Sequence, residues 1–264
     1  MLAETVGIRA AGRLACVDED TVLRILESAG EHCARLLDSK VRNLTIPYVQ
    51  CDEVFSYIKQ KPNGENEDDP ERGSMWTFLA VAKDEKLIVS YRVGKRTGEE
   101  TEGFLKDLGS RITNRFQLTT DSFRGYVALH GSAGAVKDIL GDNCHYATET
   151  KRFRTDPRYT GNRVFFAPKL VKVYRSPRIG YPDMKHATIG HCERTNLSLR
   201  TFNRRFVRRT INFSKKTENH RHAVALFVAH FNFCRVHSAI GMTPAMAAGL
   251  TDHVWTVEEL LSAR

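Results

Sequence analysis

Apolar positions along the chain change period several times, and the changes mark its elements. In residues 7–31 they recur at helical spacing: Ile8, Ala11 and Leu14, then Val22, Leu23 and Leu26. Asp18 stands before the second run, where its side chain can cap the first turn. Two helices separated by a turn near Cys16 give the spacing of a helix-turn-helix, with residues 19–29 as recognition helix. A complete module needs a supporting helix upstream, so residues 1–43 read as a partial DNA-binding segment.

The period then shortens. LTIPYVQCDEVFSYIK, residues 44–59, is rich in β-branched and aromatic residues and predicts a strand. QKPNGENEDDPERGS, residues 60–74, is polar and acidic and predicts a loop. Two apolar runs around Lys83-Asp84-Glu85-Lys86 predict a hairpin, and Phe104, Leu105, Leu108 and Ile112 stripe a helix over residues 98–112. RFQLTTD is a short strand ending in Asp121, SFRGYVALHGSAGA opens a helix, and HYATETKRF is a further strand. The order strand, strand, strand, helix, strand, helix, strand predicts an α/β fold with a mixed five-stranded sheet flanked by helices. Helices are expected around Glu193 and over residues 217–234, and residues 251–264 form a helical tail.

Charge alters this picture. The 264 residues carry a net charge of +9, which suits a polyanion partner, nucleic acid before an anionic membrane. The cations are concentrated. Residues 151–178 hold nine Lys or Arg against one Asp, with Phe, Tyr and three Pro interleaved. This predicts a basic insertion over about 151–188, suited to phosphates and stacked bases. Residues 194–216 hold eight more cations and no acid. No apolar run reaches the roughly 18 residues of a membrane span, and residues 1–17 lack the apolar core of a signal peptide. The expected location is intracellular, in the cytoplasm or nucleoid of a prokaryote. Six scattered cysteines offer neither a CxxC pair nor a disulfide framework. His186 and His191 near Cys192 lack the second thiol that a zinc site would want.

Three carboxylates stand where strands and helices would present them: Asp52 within the first strand, Asp121 at the end of a later one, and Glu193 at the head of the basic helix. They are 69 and 72 residues apart. If the first and fourth strands are neighbours, Asp52 and Asp121 lie side by side, and a helix across that edge delivers Glu193. Three clustered carboxylates repel one another unless a cation sits between them. Hard oxygen donors select Mg²⁺ or Mn²⁺, and two such ions serve phosphodiester displacement. Glu53 is a rival ligand, but strand alternation points it to the opposite face. Asn196 and Arg200 share the face of Glu193 and, with Arg204, Arg205, Arg208, Arg209, Lys215 and Lys216, are candidate DNA contacts.

CDEVFSYIK, TTDSFRGY, HCERTNLSLRTFNRRFVRRTINFSKKTENH and NFCRVHSAIGMTPAMAAG, in that order, resemble DDE transposases of the insertion-sequence-one type. Their catalytic core is similar to retroviral integrase and ribonuclease H. The resemblance covers about residues 44–250. It implies a ribonuclease H-like core with Asp52, Asp121 and Glu193 as the catalytic, metal-binding triad, and Arg200 as the basic residue seven positions after the Glu. It implies two Mg²⁺ ions, cleavage at transposon ends and joining of the freed 3′-OH to target DNA, by a homodimer or larger assembly that holds both ends. The alternatives are a hydrolytic nuclease of the same fold and an inactive or domesticated DNA-binding descendant.

Overall fold

A computed structural model of the chain describes residues 1–63, 69–127, 134–154, 168–207 and 211–263. The pattern-based elements form with small changes of boundary. Strand β1 is Tyr48–Ile58, β2 Gly73–Ala82 and β3 Ile88–Gly94. Helix α3 (Gly98–Arg111) leads to β4 (Phe116–Thr120). Helices α4 (Arg124–Val127) and α5 (Gly134–Leu140) precede β5 (Cys144–Arg154). The residues between α4 and α5, like the centres of the 60–74 loop and of the basic insertion, lie outside the described set.

The sheet has six strands, not five, in the order β3-β2-β1-β4-β5-β6. The added strand β6 (Lys169–Ile179) pairs antiparallel with β5 and comes from the segment read as an insertion. The missed strand has a simple cause. Nearly every residue of β6 is exposed, so it carries no alternation of apolar and polar positions. Pro177 sits within it, as proline can on an edge strand.

Central pairing follows the expectation. Strand β1 runs antiparallel to β2 and parallel to β4, with Cys51 opposite Thr120. The residues after that pair are Asp52 and Asp121. Alternation along β1 sorts its two faces. Gln50, Asp52 and Ser56 face α6 (Gly190–Phe202) and α7 (Thr217–Ala229), bonding His191, Asn196 and His220 respectively. Glu53 faces α4, where Tyr126 meets it.

The N-terminal segment forms α1 (Ile8–Ala15) and α2 (Glu19–Lys40), the second much longer than the expected 19–29. Cys16 adopts the left-handed conformation, φ 54°, that a tight turn between helices needs. Asp18 caps α2 through the Thr21 amide at 2.7 Å. Leu26, Cys33, Leu36 and Leu37 of α2 join the same hydrophobic core as the sheet. Gly30 lets α2 and α7 approach closely, since a Cβ there would lie 2.3 Å from that of His222. Arg111, at the end of α3, fastens the other end of α2. It donates to the Leu37 and Val41 carbonyls at 3.1 and 3.0 Å, and ion-pairs Asp107 at 2.8 Å and Asp38 at 3.1 Å.

Past α7 the helix widens into a π-helical turn, His230–Cys234. The Asn232 amide both accepts from the Ile88 N–H at 3.0 Å and donates to its carbonyl at 2.9 Å, a strand-like pairing made by one side chain. Short helices α8 (Pro244–Ala247) and α9 (Val257–Ser262) follow. Among the described residues, no helix is long and apolar enough to cross a membrane.

Candidate active site

Asp52, Asp121 and Glu193 line one cleft of about 510 Å³, together with Arg96, Glu149 and Lys151. The parallel register of β1 and β4 sets the first two side by side. Asp121 lies just beyond β4, where its carboxylate accepts from the Phe123 amide at 2.9 Å and turns the chain. Helix α6 crosses β1 with its first amides tied to the sheet: Gln50 accepts from the His191 and Cys192 N–H groups at 2.9 and 3.0 Å. That anchoring fixes the height at which Glu193 reaches the cleft.

Among the described residues, the acidic cluster with metal-binding spacing differs from the expected one. Asp52, Glu53 and Asp121 bring one oxygen each within 4.8 Å of one another, a spacing that can hold a metal ion. Glu53 does lie on the opposite face of β1, but β4 is short, and around its end the three carboxylates converge. Alternation alone therefore does not remove Glu53 from the site. Glu193 is in the same cleft and is paired to Lys151.

Glu53 is held firmly. The Tyr126 hydroxyl donates to it at 2.6 Å and Arg96 at 2.8 Å. Arg96 also lies 3.8 Å from Asp121, and its guanidinium packs against the rings of Trp76 and Phe123. Planar stacking and two carboxylates fix this cation in place. Sequence reading gave neither Arg96 nor Tyr126 a role, because both are distant in the chain and belong to no charge run.

Two proposed DNA contacts turn inward. Asn196 is buried and donates to Asp52 at 2.7 Å, while its own Oδ1 is buried without a partner among the described residues. It therefore orients a carboxylate. Arg205 donates to Ser214 at 2.9 Å, beside the buried His220 that bridges Ser214 and Ser56. Burial pulls its pKa down to about 10. Arg200 is half-buried on α6. Arg204 is exposed and donates to the Thr5 carbonyl at 3.1 Å. Lys215 lies over Phe213, and Lys216 is exposed at the start of α7. Arg208 and Arg209 are outside the described residues. His186 and His191 face Lys83 and Lys86 at 2.8 and 3.3 Å, an environment opposed to a bound cation.

The electrostatics favour a cation at the carboxylates. Burial first, then the charges of Asp121 and Glu193, push the Asp52 pKa up to about 6. Burial and Asp121 likewise push Glu53 up to about 7, against the Tyr126 bond and the Arg96 charge. All the donors are hard oxygens, which fits Mg²⁺ or Mn²⁺.

The sign of the pH effect follows. Both pKa values are raised on folding, so the protonated forms add stability that is complete below about pH 4. That stability is lost as pH rises through about 6 and 7. Metal-free protein should melt at a lower temperature at pH 8 than at pH 5 through these groups. Millimolar Mg²⁺ should recover the difference at pH 8 and have little effect at pH 5. Equal Mg²⁺ stabilisation at both values would show that these carboxylates do not take the ion.

No family model matches the chain, and no curated protein matches it.

Proposed function

We propose that this chain is a metal-dependent polynucleotidyl transferase acting on DNA, a DDE-type transposase with a ribonuclease H-like core. The observation that carries the reading is the placing of Asp52 on β1 and Asp121 just beyond its parallel neighbour β4, each next to the paired Cys51 and Thr120, in a cleft shared with Glu193 of α6. In this reading Asp52, Asp121 and Glu193 hold two Mg²⁺ ions, with Glu53 beside them. Bound there, the ions would activate a water or 3′-OH and stabilise the leaving oxygen.

The residues of the chain supply the rest. Asn196 holds one Asp52 oxygen. Arg96 offsets the charge of Glu53 and Asp121. DNA approaches over cations. Arg152, Arg154, Lys169 and Lys172 are exposed on β5 and β6, and Phe153 and Tyr174 are exposed among them. Such a surface binds phosphates and stacks bases. Two DNA ends brought together call for at least two copies of the chain.

Incubating the full chain with Mg²⁺ and DNA that carries the ends of its own element tests the reading. Nicking at the ends, and joining of a pre-cut 3′ end to a second duplex, are expected. Nicking without joining would assign a hydrolytic nuclease. DNA binding without either reaction would assign a non-catalytic descendant.

A further inference from the structure

Lys151 has a position that the reading above leaves unused. It projects from β5 into the cleft, four-fifths buried, between two carboxylates. One is Glu193, with which it forms a close ion pair. The other is Glu149, 3.7 Å away. The two carboxylates are not equivalent. Glu149 is buried, held by Arg175 at 2.9 Å and by the Ile189 amide at 3.4 Å. Glu193 is 40 % exposed, and Lys151 is its ion-pair partner among the described residues. Lys151 thus has one fixed neighbour and one that can leave.

We propose that Lys151 is an exchangeable counter-ion of Glu193: it neutralises Glu193 while the site is empty, and receives a phosphate oxygen of the DNA once Glu193 turns to a metal ion. The proposal rests on the transferase reading and assigns a substrate-holding role to a residue outside the acidic set. The geometry supplies both halves. A metal ion competes with an ammonium for the Glu193 oxygens, so the ion pair lowers the metal affinity of the resting site. When the pair opens, Glu149 alone still fixes the ammonium in the cleft that Asp52 and Asp121 line. An ammonium gives three donors to any anion that arrives, and suits a phosphate as a point charge.

Two effects of opposite sign follow for Lys151→Gln. Mn²⁺ binding to the full chain without DNA, followed by calorimetry, should tighten by about fivefold, the size of a partly exposed ion pair. Nicking at saturating Mn²⁺ should nevertheless slow by at least about tenfold, because a donor to the phosphate is gone. Lys151→Arg should bind Mn²⁺ more weakly than wild type, since a guanidinium fork grips a carboxylate in two places. It carries the metal-binding test if circular dichroism shows that Lys151→Gln does not fold. Unchanged or weaker Mn²⁺ binding by folded Lys151→Gln overturns the proposal. So does wild-type nicking by that variant at saturating Mn²⁺, or unchanged or tighter Mn²⁺ binding by Lys151→Arg. A wild-type chain that binds no Mn²⁺ overturns the transferase reading itself, which separates the two failures.

Discussion

Asp52→Asn is expected to remove metal-dependent nicking, by about a thousandfold or more, while leaving the protein as stable as before or more so at pH 8. The activity loss follows from position. Asp52 lines the cleft with Asp121 and Glu193, and in the proposed reaction several kcal/mol of charge stabilisation at the phosphate would depend on such a ligand. The stability change has the opposite sign because the carboxylate is buried next to like charges and its pKa is raised to about 6. An amide carries no charge to desolvate. Its oxygen can still accept the Asn196 amide bond, now made at 2.7 Å. Nicking rate and melting temperature on the same preparation decide the matter. Full activity would exclude Asp52 from the chemistry. Lost activity with a lower melting temperature would mean that the residue serves the fold.

Arg111→Ala should have the largest effect on stability, a loss of about 3–5 kcal/mol. Arg111 is buried, and its guanidinium binds Asp107, Asp38 and the carbonyls of Leu37 and Val41. Val41 caps the end of α2, where helix geometry leaves its carbonyl without a helical donor, while the Leu37 carbonyl also accepts the Val41 N–H at 3.1 Å. Truncation strands the Val41 carbonyl and removes the ion pair of a partly buried Asp107 that also accepts from Ser90. Chemical denaturation should report the loss as a lower midpoint with little change in slope. A loss below about 1 kcal/mol would reduce Arg111 to an ordinary surface ion pair.

The sheet core was legible because its strands are half-buried or fully buried, and burial writes itself into residue period. From that came the neighbourhood of Asp52 and Asp121, which needs only strand order and two strand ends. Strand β6 was not legible, since apart from its last residue, Ile179, it is almost wholly exposed and its cations read as a solvated run. The length of α2 was underestimated for a different reason. Its second half is recognised by contacts, Gly30 against His222 and Leu37 through Arg111, that connect residues far apart in the chain. The site shows a third limit. Spacing on α6 correctly put Asn196 on the Glu193 face, but a shared face says nothing about whether an amide points to DNA or back to Asp52. Alternation correctly separated Glu53 from Asp52, yet the end of a short strand lets opposite faces meet. Lys151 was hidden among eight other cations of its segment, and only its two carboxylate partners set it apart.

The π-helical turn at His230–Cys234 bears on how this chain tolerates insertions and deletions. A π turn spends one more residue than an α turn before its hydrogen bond closes, seen here in the Arg235 amide bonding back to the His230 carbonyl at 3.1 Å. Losing a single residue from this turn would restore a regular α-helix and rotate all that follows by about 100°. Asn232 would then leave the edge of β3, and Phe233 would leave its ring contact with Trp255. The reading frame of the fold is therefore phased at this point. A residue added or lost in the turn acts as a shift in rotational phase for the whole C-terminal segment.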